Sequence, residues 1–187
     1  MNLEALLDRL ECSPIIAAVH ENSFGEALDS PAEVIFYLRA SLLTVADRVR
    51  EAHAAGKMLF VHIDLAEGIG KDKTGVEFLS GIGVDGIIST RTQLLRYARE
   101  SGLAAVQRFF ALDSQGLESM EETLSSGVPH LVEIMPGVIG KVIARVAKKG
   151  VPVIAGGLIE NKKEVLCAIE HGAVAVSTGN KELWHTA

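Results

Sequence analysis

Val153-Ile154-Ala155-Gly156-Gly157-Leu158 and, further on, Val174-Ala175-Val176-Ser177-Thr178-Gly179-Asn180 decide the fold. Each stretch is a short apolar run that stops at glycine. A residue without Cβ lets an anion come close to backbone N–H groups. Two such junctions at the end of a chain of alternating strands and helices are what a (β/α)8 barrel uses to hold a phosphate after its last two strands. The expectation is a barrel that grips a small phosphorylated ligand.

Outward from these junctions, apolar runs recur at Ile15–Val19, Val34–Leu38, Met58–Ile63, Gly86–Ser89, Ala104–Gln107, Leu131–Ile134, Pro152–Ala155 and Ala173–Ser177. Continuous runs, rather than strict alternation, suit parallel strands buried on both faces. Helical segments at Ser41–Ala55, Thr92–Ser101, Ser114–Ser126, Val138–Lys149 and Lys162–His171 are each followed by glycine, the signature of a helix C-terminus. The pattern predicts a compact α/β fold, a (β/α)8 TIM-type barrel with shortened helices. About 250 residues is typical of that fold, and this chain has 187. The missing length falls at Ser23–Leu28, Val76–Ile82 and Lys181–His185, where degenerate helices of one or two turns are expected. No linker or second domain is evident, so residues 1–187 are expected to form one domain, with 1–13 as an N-terminal helical cap.

Composition narrows the class. Apolar residues make up 48% of the chain, which excludes a disordered polymer, and the runs are too short to span a membrane. Met1–Leu10 is acidic and amphipathic, unlike a signal peptide. Cys12 and Cys167 lack metal or redox spacing and are expected to be buried thiols in a reducing cytoplasm. A net charge of −6 argues against broad non-specific nucleic-acid binding, though not against a local basic face.

Chemistry in this fold sits where strands end. Along the third strand, Phe60, His62 and Asp64 share the inward face, and Leu59, Val61 and Ile63 share the outward one. Ser89-Thr90-Arg91 ends the fourth strand, Gln107-Arg108 the fifth, and Glu133 lies on the sixth. Polar residues inside apolar runs are costly unless paired. Two explanations stay open: a structural network joining Arg91 and Arg108 to Asp64 and Glu133, or a ligand site. His62, Asp64 and Glu67 are a weak metal triad, and neither a metal nor a cofactor is expected. No lysine ends a strand, since Lys57 precedes the third and belongs to the opposite face, so a Schiff-base aldolase lacks its nucleophile. Asp64 and Glu133 are suited to acid–base work or to accepting hydrogen bonds from a polyol. Ala66–Gly75, with Lys71 and Lys73, is either a closing loop or a solvated connector. Lys141, Arg145, Lys148 and Lys149 fall on one helix face, either solvated or available to RNA phosphates. Arg96 and Arg99 beside Tyr97 form a weaker second candidate.

In order along the chain, Pro14–Val19, Val61-His62-Ile63-Asp64-Leu65, Gly86–Arg91, Gln107-Arg108-Phe109-Phe110-Ala111-Leu112-Asp113-Ser114, Val132–Gly137, Ala155–Ile159, Ala175–Thr178 and Leu183-Trp184 resemble the glycerol-3-phosphate-responsive antiterminators of bacterial glycerol-uptake operons. The resemblance runs from Pro14 to Trp184. It implies a non-catalytic, cytoplasmic barrel that binds glycerol 3-phosphate and acts on leader mRNA. It suggests Gly156, Gly157, Ser177, Thr178 and Gly179 for the phosphate. His62, Asp64, Glu67, Ser89, Arg91, Gln107, Arg108 and Glu133 would face the glycerol end. Lys141, Arg145, Lys148 and Lys149 would offer the RNA face. Arg39-Ala40-Ser41 departs from the acidic or glycine-containing turn of the family, and Gly179 stands where a small hydroxyl residue is usual. The competing expectations are an isomerase- or synthase-like enzyme of a phosphorylated sugar or triose, and a phospho-metabolite sensor acting through a protein partner. A homo-oligomer fits any of these, without direct support in the residues.

Overall fold

A computed structural model describes residues 3–111 and 113–186. Strands β1 (Ile15–Val19), β2 (Val34–Tyr37), β3 (Met58–His62), β4 (Gly86–Ser89), β5 (Ala104–Phe110), β6 (Leu131–Met135), β7 (Val153–Gly156) and β8 (Ala173–Thr178) close a barrel in chain order, every neighbouring pair parallel. The chain is thus a (β/α)8 TIM-type barrel. Helix α1 (Leu3–Cys12) precedes the first strand. Helices α2 (Phe24–Asp29), α3 (Val45–Ala54), α4 (Lys73–Gly81), α5 (Thr92–Glu100), α6 (Ser114–Ser125), α7 (Gly140–Ala147) and α8 (Lys162–Glu170) form the outer ring, and a 3-10 turn (Leu183–His185) ends it.

Two apolar layers follow from strand alternation. Leu59, Val61 and Ile63 point outward into the core shared with the helices. Phe60 points inward with Ile16, Val34, Phe36, Ile88 and Ile154. The Phe36 and Phe60 rings meet at 5.5 Å between centroids. Leu6 and Leu10 of α1 join this inner layer and close the barrel below. At the same end, Lys57 Nζ donates to the carbonyls of Ser30 (2.5 Å) and Ala32 (2.6 Å), away from the mouth. The strand interior is therefore solid, and only its upper end is left for a site.

Three expectations are corrected. The third barrel helix is not degenerate: α4 spans 9 residues because the Asp72 side chain caps it, accepting from the Gly75 N–H at 2.9 Å. Helix α3 starts later than Ser41, because Ser41 forms an isolated parallel bridge with Glu67. Cys12 and Cys167 are free and exposed rather than buried, as both lie on solvent faces of helices. Helices α2 and the final 3-10 turn are as short as expected. No helix among the described residues is long and apolar enough to cross a membrane.

Candidate functional site

A cavity of about 620 Å³ opens at the C-terminal ends of the strands, within the range of small-ligand pockets. The loops after β7 and β8 form its wall through Gly157, Leu158, Gly179 and Asn180, and Arg108, Glu133, Ser177 and Thr178 form its floor and side. Among the described residues, the backbone N–H groups of Gly157, Leu158 and Gly179 donate to no protein acceptor. Backbone N–H groups left unpaired along a concave wall suit an anion.

The floor is set by strand register. Arg108 on β5 stands beside Glu133 on β6, and Gly156 on β7 beside Ser177 on β8. Glu133 accepts from Arg108 Nε at 2.6 Å and from Ser177 Oγ at 2.5 Å. That second bond crosses β7, which is possible only because Gly156 has no side chain. A Cβ there would lie 2.6 Å from Glu133 Oε1 and 2.7 Å from Ser177 Oγ. Gly156 is buried, does not line the cavity and leaves room for the bridge. Gly157, at φ 75°, and Leu158, at φ 59°, form a left-handed corner, and such backbone strain in a non-glycine residue collects at functional sites. The Thr178 hydroxyl donates to the Ile159 carbonyl (3.1 Å) and accepts from the Asn180 N–H (3.1 Å), tying the two loops together. Gly179 has room for a side chain, the nearest atom to an added Cβ being the Ala18 carbonyl at 3.5 Å.

The other polar residues form a second cluster on β3–β5. The Asp64 carboxylate accepts from Ser89 Oγ (2.9 Å), Thr90 N (2.7 Å), Thr90 Oγ1 (3.0 Å) and Arg91 Nε (3.1 Å). Burial raises its pKa, but the bonds from Thr90 and Ser89 outweigh that and hold it below the usual carboxylate range. Gln107 is buried between the Thr90 carbonyl (2.8 Å) and Thr92 Oγ1 (3.2 Å). His62, at the centre, is 4% exposed, and neither ring nitrogen has a hydrogen-bond partner among the described residues. Burial, then the charge of nearby Arg108, push its pKa down to about 4 against the opposing pull of Asp64, so the ring is neutral at pH 7. None of His62, Asp64, Ser89, Arg91 and Gln107 lines the cavity. The structural network left open by the sequence is present, in the pairs Arg91–Asp64 and Arg108–Glu133, and the second of them also lines the cavity.

Glu67 departs from the cluster. It reaches Arg39 at 3.7 Å on the rim, and its backbone bonds Ala40 O and Leu42 N. His62, Asp64 and Glu67 thus do not converge, and the charge that Arg39 adds is matched locally. The Ala66–Gly75 loop is pinned to itself, with Lys71 Nζ donating to the carbonyls of Ala66 and Ile69, while Lys73 pairs with Glu77 on α4. None of its residues lines the cavity.

On the flank, Lys141, Arg145, Lys148 and Lys149 do share an open groove between α6 and α7, but α7 ends at Ala147, so Lys148 caps it and Lys149 follows it. Glu121 of α6 takes Arg145 (2.6 Å) and Lys149 (3.4 Å). Lys141 and Lys148 pair with no carboxylate among the described residues. The sequence did not single out Leu158, Asn180 or Gly137. The Gly137 N–H donates to the carbonyls of Gly156 (2.6 Å) and Gly157 (3.1 Å), joining the cavity wall to the loop that launches α7. The Pro136-Gly137 pair marks that turn in the sequence, but not its partner.

The family model described as glycerol-3-phosphate responsive antiterminator matches residues 15–184. An uncharacterized Escherichia coli K12 protein, YgcP, is 36% identical over 185 residues, covering 97% of each chain. The crystal structure of a glycerol uptake operon antiterminator regulatory protein from Listeria monocytogenes is similar at 34% identity and a TM-score of 0.87, covering 92% of this chain and 95% of that one. A glycerol uptake operon antiterminator-related protein from Thermotoga maritima superposes with a TM-score of 0.81 at 34% identity, over 91% of this chain and 96% of that one. The chain belongs to the glycerol-3-phosphate responsive antiterminator family.

Proposed function

We propose that this protein is a non-catalytic cytoplasmic regulator that binds glycerol 3-phosphate in the mouth cavity and, so loaded, binds leader mRNA of a glycerol-utilisation operon. The observation that carries the reading is the cavity wall of unpaired N–H groups after β7 and β8 beside a buried Arg108–Glu133 pair. The N–H groups would hold the phosphate oxygens, and Glu133 and Arg108 would meet the glycerol hydroxyls. The barrel alone serves enzymes and binders equally. Here Asp64 is engaged by four donors within the chain and does not line the cavity, which favours the binder.

The groove between α6 and α7 is the RNA face in this reading, through Lys141 and Lys148 first. The Gly137 bonds supply the connection, because a ligand that shifts the Gly157 corner acts directly on the start of α7. The test is a gel-shift titration of the operon's leader RNA at fixed salt, with and without glycerol 3-phosphate, alongside calorimetry of the metabolite alone. RNA affinity that rises with the metabolite supports the regulator. Metabolite binding with no RNA affinity at any salt refutes it.

A further inference from the structure

Exposed apolar side chains are concentrated on one face. Of the seven large ones among the described residues, only Leu166 lies away from the mouth. Leu42 (42% exposed) and Leu43 (88%) follow β2, and Leu65 (45%) follows β3. Phe110 (50%) ends β5, Val138 (41%) follows β6, and Leu158 (68%) follows β7. Two apolar arcs therefore face each other across the mouth, at β2–β3 and at β5–β7. Isolated exposed leucines need no explanation, but a clustered rim marks an interaction surface.

The rim does not fit nucleic acid. Its cations are engaged within the chain: Arg39 with Glu67, Arg91 with Asp64, Lys71 with its own loop carbonyls and Lys73 with Glu77. Little charge is left to neutralise a phosphate backbone. The rim does fit itself. The strands run in order around a closed ring. A two-fold axis in the plane of the mouth, passing between β4 and β5, lays β2 over the partner's β7, β3 over its β6, and β4 over its β5. Leu42 and Leu43 then meet Leu158, Leu65 meets Val138, and the half-exposed Arg91 guanidinium meets the Phe110 ring. Arg39 on the β2 loop, whose pair with Glu67 is long at 3.7 Å and exposed and so leaves the guanidinium able to share a second carboxylate, comes opposite Glu160 on the β7 loop, which has no ion pair of its own among the described residues. Like meets like, and charge meets opposite charge, as an isologous contact requires.

We propose that the mouth face is the two-fold interface of a homodimer of this chain, with the ligand cavity enclosed beneath it and the two basic flanks left open. The test is sedimentation of the full chain over a range of concentrations, without RNA or metabolite, so its outcome is separate from that of the RNA titration. The expected mass is twice 19.9 kDa. Leu43→Glu and Phe110→Glu each weaken the dimer about tenfold or more, with circular dichroism unchanged. Arg39→Glu weakens it as well, and Arg39→Glu combined with Glu160→Arg restores it. A chain that stays monomeric at every concentration overturns the proposal, as does a dimer indifferent to these changes. So does a monomer whose RNA affinity falls in Leu43→Glu, which would assign the rim to RNA.

Discussion

At the scale of single residues, the bridge from Arg108 through Glu133 to Ser177 depends on an atom that is missing. Gly156→Ala would place a Cβ within 2.7 Å of both Glu133 Oε1 and Ser177 Oγ, and overpacking of this kind costs about 1–3 kcal/mol. The expected result is a lower midpoint in urea together with weaker metabolite binding in calorimetry, whereas a substitution at the roomier Gly179 leaves stability unchanged. His62 gives a second prediction. Its folded pKa of about 4 lies below its ordinary 6.5, so the unfolded chain binds the proton more readily. The stabilisation is complete above pH 6.5 and is lost as pH falls to 4, by about 3 kcal/mol. Burial and nearby Arg99 also push His130 down, so the comparison must be with His62→Leu. Urea denaturation at both pH values should show the wild type losing about that much more than the variant. Identity and position made Glu133 and Arg108 visible as candidates in the sequence. Their partner Ser177, and the use of Gly156 as a gap between them, depend on register across three strands and are not written in any local pattern.

At the scale of elements, recurring apolar runs were enough to place all eight strands, because strands buried on both faces are dominated by apolar residues. Helix ends were less legible. Asp72 caps α4 from inside a stretch that reads as loop, and α7 stops before Lys148 although its basic periodicity continues. The basic groove shows why spacing alone misleads. Periodicity counts four cations, yet Glu121, contributed by a different helix, engages two of them. Hydrogen bonds from Arg145 hold the Glu121 carboxyl below its ordinary pKa, so it is ionised at pH 7. Glu121→Gln should therefore release Arg145 and Lys149 and strengthen RNA binding, while Lys148→Glu weakens it. Neutralising one RNA phosphate more or fewer changes the slope of log affinity against log salt by about 0.7–0.9. Gel-shift titrations at several salt concentrations measure both effects. Opposite signs from two neighbouring substitutions would separate a groove that touches RNA from a merely solvated face.

At the scale of the whole molecule, the closed barrel and its family were legible because the motifs recur in order along nearly the full chain. The connection between its mouth and its flank was not, because Gly137 meets Gly156 and Gly157 only once β6 and β7 are adjacent. That contact carries the last prediction. If glycerol 3-phosphate raises RNA affinity by some factor, RNA must raise metabolite affinity by the same factor, since both report one coupling free energy. Calorimetry of the metabolite with and without saturating RNA measures one side, and the gel shift measures the other. Gly137→Ala tests the route. A Cβ at that position would sit 2.7 Å from the Gly156 nitrogen and 2.8 Å from the Ala155 carbonyl carbon, forcing the loop that starts α7 away from the cavity wall. The variant is expected to retain metabolite binding and basal RNA binding while both coupling factors fall together toward one. Coupling that survives unchanged would mean that the signal travels from the cavity by another path, such as the Thr178 link to the β7 and β8 loops, and not through the start of the basic helix.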